Sequence, residues 1–183
     1  MNKPSTGSLL ISDPFLKDPN FMRSVVFLCD HNEEGSIGFV INRRNENNLD
    51  ELLGDLDGFP IPVFTGGPVQ TDTLHFVHSM PELIPGGQAI GDGIFWGGNF
   101  ETVLALIRTN ALNLDRIRFF LGYSGWGSGQ LNEEMKEKSW LAGLANQELV
   151  FHPKPEQAWK DAVQSLGKEY AEIVNYPIDP SLN

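Results

Sequence analysis

Ten residues, Gly122-Tyr123-Ser124-Gly125-Trp126-Gly127-Ser128-Gly129-Gln130-Leu131, constrain this chain more than any others. They hold four glycines, two aromatics and one amide, and they follow directly on the apolar run Ile117-Arg118-Phe119-Phe120-Leu121. Glycine tolerates backbone conformations that side chains forbid, so a strand entering such a block is expected to turn sharply there. Beyond the turn the chain either starts a helix or shapes a pocket. Gly66-Gly67-Pro68, after Val63-Phe64, reads in the same way as a strand end followed by a turn.

A chain of 183 residues, 40% hydrophobic and 20% charged, reads as one globular domain spanning 1–183. At that size roughly 70% of the unfolded surface is buried on folding. The first apolar run, Leu9-Leu10-Ile11, is too short for a signal-peptide core, and no stretch approaches the roughly 18 apolar residues that cross a bilayer. The single cysteine, Cys29, cannot form an internal disulfide, which points to a reducing, cytoplasmic setting, while the lack of a spanning stretch and the acidic charge point to no membrane association.

Charge narrows the partners. The formal net charge is −11, and no Lys or Arg stands between Arg44 and Arg108, a stretch holding nine Asp and Glu residues. Affinity for nucleic acid comes largely from basic side chains on phosphates, so direct DNA binding is disfavoured unless assembly gathers Arg43, Arg44, Arg116 and Arg118. A basic protein partner suits the acidic surface through charge complementarity.

Along the chain, Asp13-Pro14 and Asp18-Pro19 bracket an irregular segment. Val25–Cys29 and Ile37–Ile41 read as strands joined by a longer loop over 30–35. Leu49, Leu52, Leu53 and Leu56 fit a short amphipathic helix. Strands are expected at 74–78 and around Ile94-Phe95-Trp96. Asn99 caps a helix with Phe100, Val103, Leu104 and Ile107 on one face. A strand over 117–121, a helix from Gln130 to Glu137, a strand at Trp140-Leu141-Ala142 and a helix entered through Pro155 complete the pattern. The tail from Tyr176 is expected to be irregular. Hairpin-like pairs and short strands, not regular βαβ units, argue for an α+β fold with a mixed or mainly antiparallel sheet.

Chemical constellations are thin. Ser124 misses the nucleophile-elbow pattern because Trp126 stands where its second glycine belongs. His75 and His78 lie three apart on a strand and so face opposite sides, and one cysteine cannot build a Cys-rich zinc site. The glycine block also lacks a phosphate-loop lysine, and Glu133 and Glu134 repel anions. Cys29 reads as packing, with redox sensing as the lesser alternative. Tyr123 and Trp126 either fill the core under the turn or present an anchor to a partner. No catalytic, metal or cofactor residues are assigned.

Five segments together resemble the YqgE/AlgH family (DUF179): Gly7–Pro14, Asp18–Val26, Gly35–Asn42, Gly66–Val69 and Gly122–Leu131. The resemblance covers most of the chain in order. It implies a bent, branching sheet that closes into a partial barrel flanked by helices. Some members carry the label of transcriptional regulator without an established DNA-binding module, and members usually have Ala at the Ser124 position.

Three readings of function follow. The first is a non-enzymatic regulatory or interaction protein, with Arg23, Asn42, Gly66, Gly67, Pro68, Tyr123, Trp126, Gln130 and Glu134 as its contact surface. The second is a small-molecule or nucleotide binder, or a hydrolase, built on the glycine-rich turns; it requires a concave site beside residues 122–131. The third is a regulator acting directly on DNA, which the charge disfavours.

Overall fold

Unbroken apolar runs such as Leu9-Leu10-Ile11 and Val25–Cys29 require a sheet covered on both faces. The computed structural model, which describes residues 3–56 and 58–175, supplies that cover. Its ten-stranded sheet has the order β10-β1-β2-β3-β9-β6-β8-β7. These strands are β1 (Ser8–Ser12), β2 (Val25–Asn32), β3 (Gly35–Val40), β6 (Val69–His78), β7 (Gln88–Gly91), β8 (Ile94–Trp96), β9 (Ile117–Gly127) and β10 (Trp140–Leu144). Two more, β4 (Arg44–Asn48) and β5 (Pro62–Thr65), pair with each other, and β5 joins β9 in the one parallel pairing among the described residues. The helices are α1 (Leu49–Leu52), α2 (Phe100–Arg108), α3 (Gln130–Lys136), α4 (Gln147–Val150) and α5 (Pro155–Ser165). The fold is α+β, and its mostly antiparallel sheet curls into a half-barrel. The expected irregular tail from Tyr176 lies outside the described residues.

Alternate residues of each strand go to different cores. Leu9, Ile11, Val25, Phe27, Phe39 and Phe120 fill the inside of the curl. There α5 plugs it with Trp159, Ala162 and Val163, and Trp159 Nε1 donates to Ser12 O at 3.0 Å. Outside, α2 lays Val103, Leu104 and Ile107 on Val63, Phe76 and Phe119. A second outer cluster sets Leu131 of α3 and Trp126 on Leu10, Val26, Leu28 and Val40. Across the curl, Gln147 at the start of α4 holds the β7–β8 turn by two hydrogen bonds to Asp92, at 3.1 and 2.8 Å.

Strand β9 organises all of this. Its first half pairs with β5 through Val63↔Phe119 and Thr65↔Leu121, and its second half pairs with β3 through Gly38↔Ser124 and Gly35↔Gly127. The exchange happens at Gly122, where φ is +68°. That residue breaks the alternation: Phe120 and Tyr123, three apart, both pack on the inner cluster, and Trp126 joins the outer one. A Cβ on Gly122 would stand 2.7 Å from Gly67 O and 2.9 Å from Val69 O. One on Gly66 would stand 2.5 Å from Gly122 O, and one on Gly67 2.2 Å from Tyr123 C. Two backbone segments therefore touch here with no side chain between them. Gly66 N donates to Leu121 O at 2.8 Å, and Gly66 O accepts from Val40 N at 2.8 Å, tying β5, β9 and β3 together.

The expectation of a sharp turn after Leu121 is thus corrected. The glycine block continues the strand to Gly127, and the chain turns only at Ser128-Gly129 before α3. The expected longer loop over 30–35 is also shorter, because β2 runs on to Asn32 and pairs it with Gly35. The Asn99 cap forms as read, accepting from Thr102 N at 3.0 Å. Strands β1, β4 and β7 and helix α4 are additions that the sequence reading did not place.

We expect Gly122→Ala to lower unfolding free energy by about 3 kcal/mol or more, from left-handed strain plus the clash with two carbonyls. Gly129→Ala shares a positive φ of +73° but meets nothing within 4 Å, and should cost only about 1–2 kcal/mol. Urea unfolding of both variants measures the difference.

Candidate functional site

The exposed face of the glycine-rich half of β9 borders a concave site. An open cleft of about 390 Å³ lies between it and the tip of the β2–β3 hairpin, with Asp30, Asn32, Glu34, Val69, Tyr123 and Gly125 on its walls. The ring of Tyr123 is half-buried, edge-on to His75 at 6.0 Å. A Cβ on Gly125 would meet that ring at 3.4 Å, so glycine leaves the ring room against the strand. The cleft's lining carries two carboxylates and no Lys or Arg.

A smaller cleft of about 200 Å³ lies on the other side of the hairpin tip, where His31 and Glu33 face Ser128, Gly129 and Asn132. Ser128 Oγ donates to Glu33 O at 2.6 Å, which pins the tip to the turn before α3. Gln130 Oε1 accepts from Gly127 N at 3.0 Å and closes that turn. Across the hairpin, His31 Nδ1 lies 2.6 Å from Ser36 Oγ.

The nine residues read from the sequence as one contact surface do not form one. Tyr123 lines the larger cleft, and Gly66 and Gly67 lie buried at the strand crossing, with Pro68 exposed beside them. Arg23 and Asn42 sit at the start of β2, seven residues or roughly 23 Å of extended strand from the hairpin tip. Asn42 there clamps the backbone, accepting from Val25 N at 3.0 Å and donating to Arg23 O at 2.9 Å. The Arg23 guanidinium stacks 4.4 Å above the Trp159 ring, and burial lowers its pKa. Glu134 accepts from Trp140 Nε1 at 3.3 Å on the α3 side. Trp126 also borders the larger cleft, but its ring takes the core alternative of the sequence reading: it is 5% exposed, stacked with Phe21 and edge-on to Trp140.

Other chemical candidates resolve into structure. Ser124 is fully buried, and its hydroxyl donates to Gly66 O at 3.0 Å, so it braces the crossing. Cys29 is fully buried, and burial, then the nearby Asp30 charge, pushes its thiol well above its usual range. A sulfur so protonated and enclosed does not serve as a redox sensor. His152 has both ring nitrogens committed, Nε2 to Asp161 Oδ2 at 2.6 Å and Nδ1 accepting from Lys154 N at 3.0 Å. His75 and His78 face opposite sides as expected, His75 within the Phe39–Trp96 aromatic group and His78 stacked on Phe95. His78 accepts from Met80 N at Nδ1, so its Nε2 carries the proton toward Gly97 O at 2.9 Å.

The sequence reading missed Asp30, Asn32 and Glu34 as cleft walls and His31–Ser36 as a pair. The signal was present in Asn32-Glu33-Glu34-Gly35. Taken as a tight hairpin, it puts His31 opposite Ser36.

A family model described as AlgH-like (DUF179) matches residues 9–171 of this chain. The chain belongs to the AlgH-like family. It is 43% identical to a UPF0301 protein of Chlorobium limicola over 182 residues, covering 100% of this chain and 97% of the relative. It is 42% identical to a UPF0301 protein of Cytophaga hutchinsonii, covering 97% and 98%. The solution structure of the AlgH protein from Pseudomonas aeruginosa is similar, with a TM-score of 0.75 and 30% identity over 95% of this chain and 97% of that one. A crystal structure from Corynebacterium diphtheriae, at 18% identity and a TM-score of 0.79 over 94% and 92% of the two chains, shares the fold. In this AlgH-like chain the glycine block is accounted for by the strand crossing, and the cleft is what that crossing leaves open.

Burial lowers the pKa of both His75 and His78 below the usual histidine value of 6.5. The unfolded chain therefore takes up protons first as pH falls through about 6.5. We expect stability to be full above that pH and to decline as it is lowered toward the folded values. Urea midpoints between pH 5 and 8 should show that slope, and it should shrink in a His78→Gln variant.

Proposed function

We propose that the protein is a non-enzymatic interaction protein whose acidic cleft receives a basic segment of a protein partner. The observation that carries this reading is the cleft wall: Asp30 and Glu34 flank a half-buried Tyr123, with no Lys or Arg in the lining. A lysine or arginine entering there meets two carboxylates and an aromatic ring, which together favour a cation. The net charge of −11 steers such a partner from a distance. Any regulatory output then runs through the partner and not through DNA. Arg118 is only 8% exposed, Arg116 is engaged by Ser79 and Glu82, and Arg43 by the carbonyls of Pro19 and Met22, which leaves Arg44 as the exposed member of that set and no extended basic face of the kind a phosphate backbone needs. No helix among the described residues is long and apolar enough to cross a membrane, and a single buried thiol suits a cytoplasmic site of action.

A small-molecule binder is the second reading, favoured by the existence of a cleft beside residues 122–131. Its open, acidic wall fits a cationic ligand better than a nucleotide, whose phosphates Asp30 and Glu34 would repel.

Fluorescence anisotropy with a lysine- and arginine-rich peptide tests the proposal. We expect Asp30→Asn/Glu34→Gln to weaken binding about tenfold or more, and added salt to weaken the parent. A control, Glu156→Gln/Glu169→Gln, should leave affinity within about twofold. Equal loss in both double variants, or binding indifferent to salt, contradicts the reading.

A further inference from the structure

On the opposite side of β9's first half, a pocket of about 290 Å³ brings two guanidinium groups to an apolar wall. Arg118 on β9 and Arg44 on β4 both line it, together with Phe64, Leu114, Ile117 and Phe151. Arg118 lies over the Phe64 ring at 4.1 Å, and Arg44 is 5.9 Å from the same ring. Arg118 donates to Ile41 O at 2.9 Å and to His152 O at 2.6 Å. Arg44 donates to Val63 O at 3.2 Å and Asn48 Oδ1 at 3.1 Å. Every one of those acceptors is neutral.

Two like charges in one pocket without a counterion are costly, the more so where one is 8% exposed. Among the described residues no ion pair involves Arg44 or Arg118; the pairs are Arg108–Asp55, Arg116–Glu82, Lys136–Glu133 and His152–Asp161. Asp115 also lines the pocket, but its side chain makes no such pair and the residue is exposed. Burial first, and then Arg44, lower the pKa of Arg118 to about 10, which leaves it charged at neutral pH. The carbonyl contacts use part of each guanidinium, and five N–H donors per arginine leave others for a ligand.

We propose that this pocket binds a small organic carboxylate with an apolar body. The carboxylate sits between Arg44 and Arg118, where it neutralises their mutual repulsion, and the body rests on Phe64, Leu114 and Phe151. A bare inorganic anion would satisfy the arginines but leave the apolar wall wet; a neutral apolar molecule would do the reverse. The site is separate from the acidic cleft, so the two proposals stand or fall independently.

NMR titration with benzoate and with isovalerate tests it, with benzamide and inorganic phosphate as comparisons. Arg118 is buried, so the informative variants are Arg44→Gln and Leu114→Trp, the latter filling the pocket from an exposed position (47% exposed). We expect at least one carboxylate to shift Leu114 and Ile117 signals saturably. Affinity should fall about tenfold in Arg44→Gln, with binding blocked in Leu114→Trp and no lowering of the unfolding midpoint in either. Binding of benzamide or phosphate as tight as the carboxylates overturns the ligand class. No saturable shift with either carboxylate, or affinity unaffected by both variants, overturns the site.

Discussion

The backbone of Gly66-Gly67 lies against that of Gly122-Tyr123-Ser124 so closely that a single methyl group at Gly66, Gly67 or Gly122 would collide with main-chain atoms. Everything distinctive about the sheet depends on that contact. It lets β9 release β5 and take up β3 on the same edge, with Gly66 O receiving both Val40 N and the Ser124 hydroxyl. It also sets which face each later side chain of β9 meets. Trp126 reaches the cluster under α3 because the alternation is reset at Gly122. An ordinary residue there would face a left-handed backbone and two carbonyls at once.

The same crossing shapes the surfaces. Past it, β9 continues as a glycine-rich strand with exposed backbone at Gly125 and Gly127, and the β2–β3 hairpin rises beside it. The acidic cleft is the space between them. Before the crossing, β9 carries Arg118 into a sheet region shared with β4 and β5, and the basic pocket forms there. One strand thus presents two sites of opposite charge, one on each side of its partner exchange. The residue types that suggest chemistry in isolation, Ser124, Cys29 and His152, are used to hold this frame.

Much of the frame was legible because local rules govern it. The Asn99 cap, the apolar face of α2 and the proline entry to α5 each rest on neighbouring residues, and each appears where the pattern puts it. The strand β9 was legible only to Leu121, since what justifies its glycines stands more than fifty residues earlier in the chain. β4, with the sequence Arg-Asn-Glu-Asn-Asn, carries no strand pattern at all and is ordered by pairing with β5. The family resemblance anticipated the branching and the partial barrel. The cleft walls were hidden by one register decision: a loop where Asn32 pairs with Gly35 concealed both the His31–Ser36 pair and the acidic side.

Native-state hydrogen exchange at the amides of Val40 and Gly66 is the most direct measurement of the central claim. Both donate into the crossing, to Gly66 O and Leu121 O, at 2.8 Å. If the crossing is the junction on which the sheet depends, these amides exchange only when the whole molecule unfolds, as slowly as the most protected positions of β2 and β9. Exchange through a local opening, with the rest of the sheet still protected, would contradict the account and make the glycine contact a consequence of the fold instead of its constraint.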